Sequence, residues 1–243
     1  MKKLLLLLIC VPVLGIRCDT AQQILTAAGQ HAGSNGTGLS TMEIAAGLKE
    51  ALAVGATNSG NMLSAADGFF KNAAIKILLP EEARKVENTL RDLGMSSLVD
   101  KAVLALNRAA EDAAKQATPI FKKAITEMTI TDALGILKGG DNAATNYLMQ
   151  KTTASLTAAF RPVIENSLQK VNATKYWSDV FTTYNKFSTN KINPDLSGYV
   201  TEKALSGIFY AVAQEEAKIR RDPVARTTEL LKKVFGSAAA TRG

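Results

Sequence analysis

Apolar residues recur every three to four positions over most of this chain, the spacing of helices that each bury one face. Ser40 and Glu43, three apart, form a capping box ahead of Ile44, Leu48 and Leu52. That pattern predicts a helix over Glu43–Ala53 ended by Gly55. Ala56–Asp67 is small and polar and is expected as a loop, with buried runs at Gly68-Phe69-Phe70 and Ile75–Leu79 behind it. Pro80 suits the first turn of a helix that runs through Leu93 and stops at Gly94. Ser96 or Ser97 caps the next, whose stripe is Leu98, Ala102, Leu106, Ala109 and Ala113. Thr118-Pro119 begins Ile120–Met128, Thr131 caps Asp132–Leu137, and Asp141 caps a long helix through Tyr147, Leu148, Leu156 and Phe160. Pro162 is expected to kink or restart it on the way to Val171. Thr174 opens Lys175–Phe187, Thr201 opens Glu202–Ile219, and Asp222-Pro223 precedes a last helix to about Phe235.

Only the short Ile75–Leu79 run hints at a strand. The fold class is therefore all-α: a single bundle-like domain of about 8–10 helices, with short loops that set neighbours antiparallel. The expected organisation is residues 1–18 as a signal peptide, 19–39 as a glycine-rich tether, 40–236 as the helical domain and 237–243 as a fraying tail.

The leader changes the picture most. Lys2 and Lys3 precede an apolar run from Leu4 to Leu14, far shorter than the about 20 residues that span a bilayer. Export follows. Cleavage after Gly15, cleavage after Cys18 and lipidation of Cys18 all stay open, with Arg17 an unusual neighbour for a lipidated cysteine. The expected address is the periplasm, or its membrane surface through a lipid anchor.

Charge and cysteine content then exclude several classes. The formal charge of +7 falls to +4 once Lys2, Lys3 and Arg17 leave with the leader, which is 26 cations against 22 anions. That is too diffuse for a nucleic-acid binder. Both cysteines, Cys10 and Cys18, lie in or beside the leader, so the domain has no internal disulfide and no thiolate for zinc. The single histidine, His31, lies in the tether, away from any Ser–His–Asp arrangement. No phosphate-cradling glycine loop occurs, and no cofactor is expected.

Several stretches carry a family resemblance. They are Glu43 to Leu52 (EIAAGLKEAL), Leu79-Pro80-Glu81 with Val86-Glu87, Asn107-Arg108-Ala109-Ala110-Glu111 and Pro119-Ile120-Phe121. Asp141-Asn142-Ala143-Ala144-Thr145, Tyr199 to Leu205 (YVTEKAL) and Ala225-Arg226-Thr227-Thr228 ahead of Leu230 to Gly236 (LLKKVFG) complete the set. Together they resemble DUF4197, a bacterial family of exported proteins of unknown function. The resemblance implies a helical domain in the envelope of a Gram-negative cell and lends no reaction, ligand or catalytic residue.

The candidate chemistry is polar. Asn107, Arg108 and Glu111 share a helix face and suit either an anion site or a satisfied network between helices. Glu215, Glu216, Arg220 and Arg226 crowd the last helix junction, and Thr227 and Thr228 stand near a helix start where N–H groups can hold an anion. Capping and junction pairing is the plainer use of the same residues. Asn193, Asp195, Ser197 and Glu202 imitate the front of a calcium loop, but Ala204 stands where the bidentate glutamate belongs. A turn with a helix cap explains the loop without metal. Trp177, Phe181 and Tyr184 form one helix stripe that suits core better than an exposed groove. The leading function is a non-enzymatic envelope module that binds another envelope protein or a small ligand. The rival is a hydrolase working with Glu111, Glu215, Glu216, Arg108 and Arg226, decided by whether these converge on one cleft.

Overall fold

The computed structural model describes residues 39–187, 189, 191–226 and 228–236. The residues expected as leader and tether up to Gly38, with Cys18 and His31 among them, Thr227 and the expected tail from Ser237 lie outside them. The described residues form nine α-helices and no strand. They are α1 (Thr41–Ser64), α2 (Arg84–Asp92), α3 (Ser96–Ala114), α4 (Ala117–Glu127), α5 (Ile130–Lys138), α6 (Ala143–Gln169), α7 (Ala173–Phe187), α8 (Leu196–Arg221) and α9 (Glu229–Phe235). Single 3-10 turns at Glu81–Ala83 and Pro223–Ala225 lead into α2 and follow α8. The all-α, bundle-like reading holds.

Helix α1 is opened by the expected Ser40–Glu43 capping box, with the Ser40 hydroxyl accepting the Glu43 amide and the Glu43 carboxylate accepting the Ser40 amide. It does not stop at Gly55. It continues through the stretch expected as a loop, because Gly55 and Gly60 are approach points for other helices and not terminators. A β-carbon at 55 would sit 3.3 Å from Glu215 Cβ of α8, and one at 60 would collide with the Thr118 side chain of α4. Gly94, by contrast, does end its helix, at a φ of +78° that favours glycine.

Helix α6 supplies an unbroken row of buried residues at intervals of four: Leu148, Thr152, Leu156, Phe160, Ile164 and Leu168. Such a row is the ridge that fits the groove of a neighbouring helix. It packs on α3 and α8, and α1 closes the core against α4, α5, α8 and α9. Phe121 and Phe209 meet edge-to-face at 6.0 Å inside it. Pro162 neither stops α6 nor restarts it; the residue is exposed, where a lost backbone bond is tolerated.

Several helix starts differ from the sequence reading. Helix α3 starts at Ser96 behind Met95 with no side-chain cap from Ser96 or Ser97, and α4 starts at Ala117, ahead of Thr118-Pro119. Thr129, and not Thr131, caps α5, in a second capping box with Asp132. Helix α8 begins at Leu196 behind Asp195, which leaves Thr201 buried one turn inside, its hydroxyl donating to the Ser197 carbonyl. Helix α6 begins at Ala143 without any side-chain cap from Asp141 or Asn142, because its first amides are taken by a residue from far along the chain.

Candidate functional site

That residue is Glu216. Buried on α8, it accepts the amides of Ala144 and Thr145 at 3.0 and 2.8 Å and the Thr145 hydroxyl at 2.8 Å. A carboxylate is well suited here, since the first turn of α6 presents unpaired N–H groups and positive potential. Arg220, one turn further along α8, donates its Nε to Glu216 at 2.9 Å and its Nη2 to the Ile136 carbonyl at the end of α5 at 2.9 Å. One glutamate–arginine pair thus finishes one helix and starts another. Arg226 closes the far end of α8 in the same manner, donating to the carbonyls of Ile219 and Arg220 and lying over the Phe235 ring. Glu215 points elsewhere, to Asn58 at 3.0 Å and to Lys218. Thr228 precedes α9, its carbonyl accepting the Lys232 amide.

A second network lies on α3. Glu111 is buried and accepts the amides of Phe69 and Phe70 at 3.1 and 3.2 Å, clasping the turn after α1. Arg108 binds Glu111 and reaches Asp67 at 2.6 Å, with Asp67 at a left-handed φ of +68°. The fully buried Asn107 amide accepts the Ile77 N–H at 2.9 Å and donates to the Ile77 and Val103 carbonyls at 2.8 and 2.7 Å. The strand-like Ile75–Leu79 run is therefore a single extended connection that uses one side chain as its pairing partner. The α3 and α8 networks share no hydrogen bond or ion pair among the described residues.

The Lys71 ammonium, and then the Arg108 guanidinium, hold the Asp67 carboxyl below the usual carboxylate range. Thr129 does the same to Asp132, through its hydroxyl and then its amide. A carboxyl whose folded pKa is depressed stabilises above its unfolded value, and that contribution disappears as pH falls through the folded value. Melting temperature should therefore stay level near neutrality and drop once pH passes below ~4, the unfolded aspartate value. Asp67→Asn should lower the plateau and flatten the drop; melts from neutral to acid pH that superimpose for the two proteins would remove this account.

The calcium-like loop is built as a cap. Asp195 accepts the Gly198 amide at 2.9 Å with one oxygen and binds Arg161 at 2.7 Å with the other. Asn193 turns back to the Asp195 amide, Ser197 is buried, and Glu202 is exposed beyond the first turn of α8. No cluster of three acidic, histidine or cysteine side chains suited to a metal occurs among the described residues. The aromatic stripe runs from core to surface: Phe181 is buried with Ala83 and Ile192, Trp177 packs beside it, and Tyr184 is 43% exposed.

None of the site residues expected from the sequence lines an open groove of about 710 Å³ between α4, α6 and the start of α5. Its lining combines small residues (Ala124, Ser155, Ala158, Ala159) with Lys123, Glu127, Asp132, Tyr147 and Lys151. Lys151 lies 5.7 Å over the Tyr147 ring. Burial, then the charges of Asp132 and Glu127, push the Tyr147 hydroxyl up from its usual value, which places these groups within electrostatic reach of one another. The sequence reading missed this site, because its residues sit on three helices and form no motif. The one available signal was Tyr147 and Lys151, four apart among small residues on a long helix.

A family model matches residues 38–236, most of the chain, and is described as a protein of unknown function, DUF4197. The chain belongs to the DUF4197 family. No curated protein and no solved structure matches it. Within this DUF4197 domain, the stretches at 107–111 and 141–145 that carried the resemblance now have a physical role: the first holds Asn107 and Glu111, and the second supplies the amides that Glu216 binds. No described helix is long and apolar enough to cross a membrane.

Proposed function

We propose that this DUF4197 chain is an exported, non-enzymatic binding module of the Gram-negative cell envelope, and that its ligand or partner sits in the α4–α6 groove. One observation carries the reading. The glutamates and arginines that would be needed for hydrolysis are held by backbone and side-chain partners in separate networks, while two charged groups of the groove are not. Lys123 and Glu127, four apart on α4, form no ion pair with each other and no side-chain hydrogen bond among the described residues. A hydrolase would need Glu111, Glu215, Glu216, Arg108 and Arg226 around one cleft with room for substrate and water.

Export is tested by the intact mass of the protein from fractionated cells. A mass lacking the leader is expected, either unmodified in the soluble envelope fraction or carrying acyl chains on Cys18 in the membrane fraction. A full-length mass with Met1, recovered from the cytoplasm, would sink the export reading.

A further inference from the structure

We propose that helix α7 docks on an anionic phospholipid bilayer, with Tyr176 and Phe187 entering the headgroup layer and Lys175 and Lys186 binding its phosphates.

At about 100° per residue, Tyr176, Thr183 and Phe187 fall within about 40° of arc on α7. Phe181 lies on the opposite side, where it is buried with Ala83 and Ile192, and this turns the row outward. Tyr176 is 64% exposed and Phe187 is 87% exposed. Neither side chain makes a hydrogen bond or ring contact with a described residue. Two open rings, about 16 Å apart along one helix, make an apolar edge that the fold does not use.

Charge is concentrated beside that row. Residues 170–191 hold Lys170, Lys175, Lys186 and Lys191 against Asp179 alone, four cations less one anion, or +3 of the +4 found beyond residue 18. Lys175 and Lys186 stand about 80–100° to one side of the row, both exposed and without an ion pair among the described residues. Tyr184 borders the other side. Aromatic rings flanked by lysines with long apolar stems suit a helix lying in an anionic interface, rings at headgroup depth and ammonium groups on phosphate.

Other partners fit less well. A stable protein interface takes about 800 Å² from each side. One face of this 15-residue helix, about 22 Å long and 10 Å wide, supplies roughly a quarter of that. A convex helix also offers no groove to track a nucleic-acid backbone. A bilayer needs neither, because shallow burial of a few rings adds to the attraction for phosphate. None of these residues lines the α4–α6 groove, so this face is independent of that ligand site.

Trp177, the only tryptophan, sits partly buried on α7 and makes the test local. The full chain carries Cys18→Ser, so that no acyl chain can anchor it, and is mixed with vesicles of brominated lipid. Quenching of Trp177 is expected with equal parts of phosphatidylglycerol and phosphatidylcholine, is lost at high salt, and is absent with phosphatidylcholine alone. Lys175→Gln and Lys186→Gln should each weaken binding roughly fivefold. Tyr176→Ser with Phe187→Ser should weaken it about tenfold or more, and Asp179→Asn should strengthen it. All five positions are exposed, so unchanged melts establish that the variants fold. Lys122→Gln with Lys138→Gln, the same change of charge on α4 and α5, should leave the quenching as it was. Absence of quenching, an equal loss in that control pair, or full binding by the serine variant would overturn the proposal. If vesicles fail and a photo-crosslinker at Phe187 captures a protein in cells, the bilayer gives way to a protein partner.

Discussion

Replacing Glu216 with alanine is expected to cost this domain about 3–5 kcal/mol, the range for removing one member of a buried charged pair. The loss has three parts. Arg220, mostly buried, keeps its charge with only backbone carbonyls for company. The Ala144 and Thr145 amides lose their acceptor where no solvent replaces it. The Thr145 hydroxyl loses its acceptor too. Small domains are held by only ~5–15 kcal/mol, so a lowered melting temperature and reduced recovery should be plain by circular dichroism. Glu216→Gln retains the shape and one good acceptor and should recover part of the difference. A Glu216→Ala protein within about 1 kcal/mol of the natural one, well under the range for a buried pair, would mean that water reaches this junction.

Asn107→Ala is expected to cost about 3 kcal/mol, mainly because the Ile77 N–H and carbonyl both lose their partner inside the protein, at ~1–3 kcal/mol for each unsatisfied group. Ile77 is buried, and the chain around it has no strand to pair with. Asn107→Asp tests the geometry: an aspartate still accepts the Ile77 amide but has no donor for the Ile77 and Val103 carbonyls. Urea titration should place it as damaged too, since a buried carboxylate would then face two carbonyl oxygens. Equal stability of all three proteins would show that the connection is held by its apolar side chains alone.

These two residues also mark the limit of what the chain discloses before it is folded. Helix periodicity, the Ser40–Glu43 box and Gly94 could be read directly, because each depends on residues within one or two turns. Gly55 misled, because its role is set by Glu215, 160 positions away in sequence and 3.3 Å away in space. The same holds for α6, where a nearby aspartate was expected as cap and a distant glutamate does the work. Asn107 and Glu111 on one helix and Glu216 on another stand out in the sequence as polar residues at helical spacing, but many of their partners are backbone groups, which no side-chain pattern displays. The groove was invisible for a related reason: it is the space between helices, and helix packing decides it.

The junction at Glu216 also has a meaning in time. The carboxylate is made 72 residues after the amide it caps. At ~5–20 residues per second of synthesis, the start of α6 waits roughly 4–14 s for its partner. The domain cannot close until almost all of it has left the ribosome. A chain that stays open while it grows is one that can still be threaded, which the export proposed above would require.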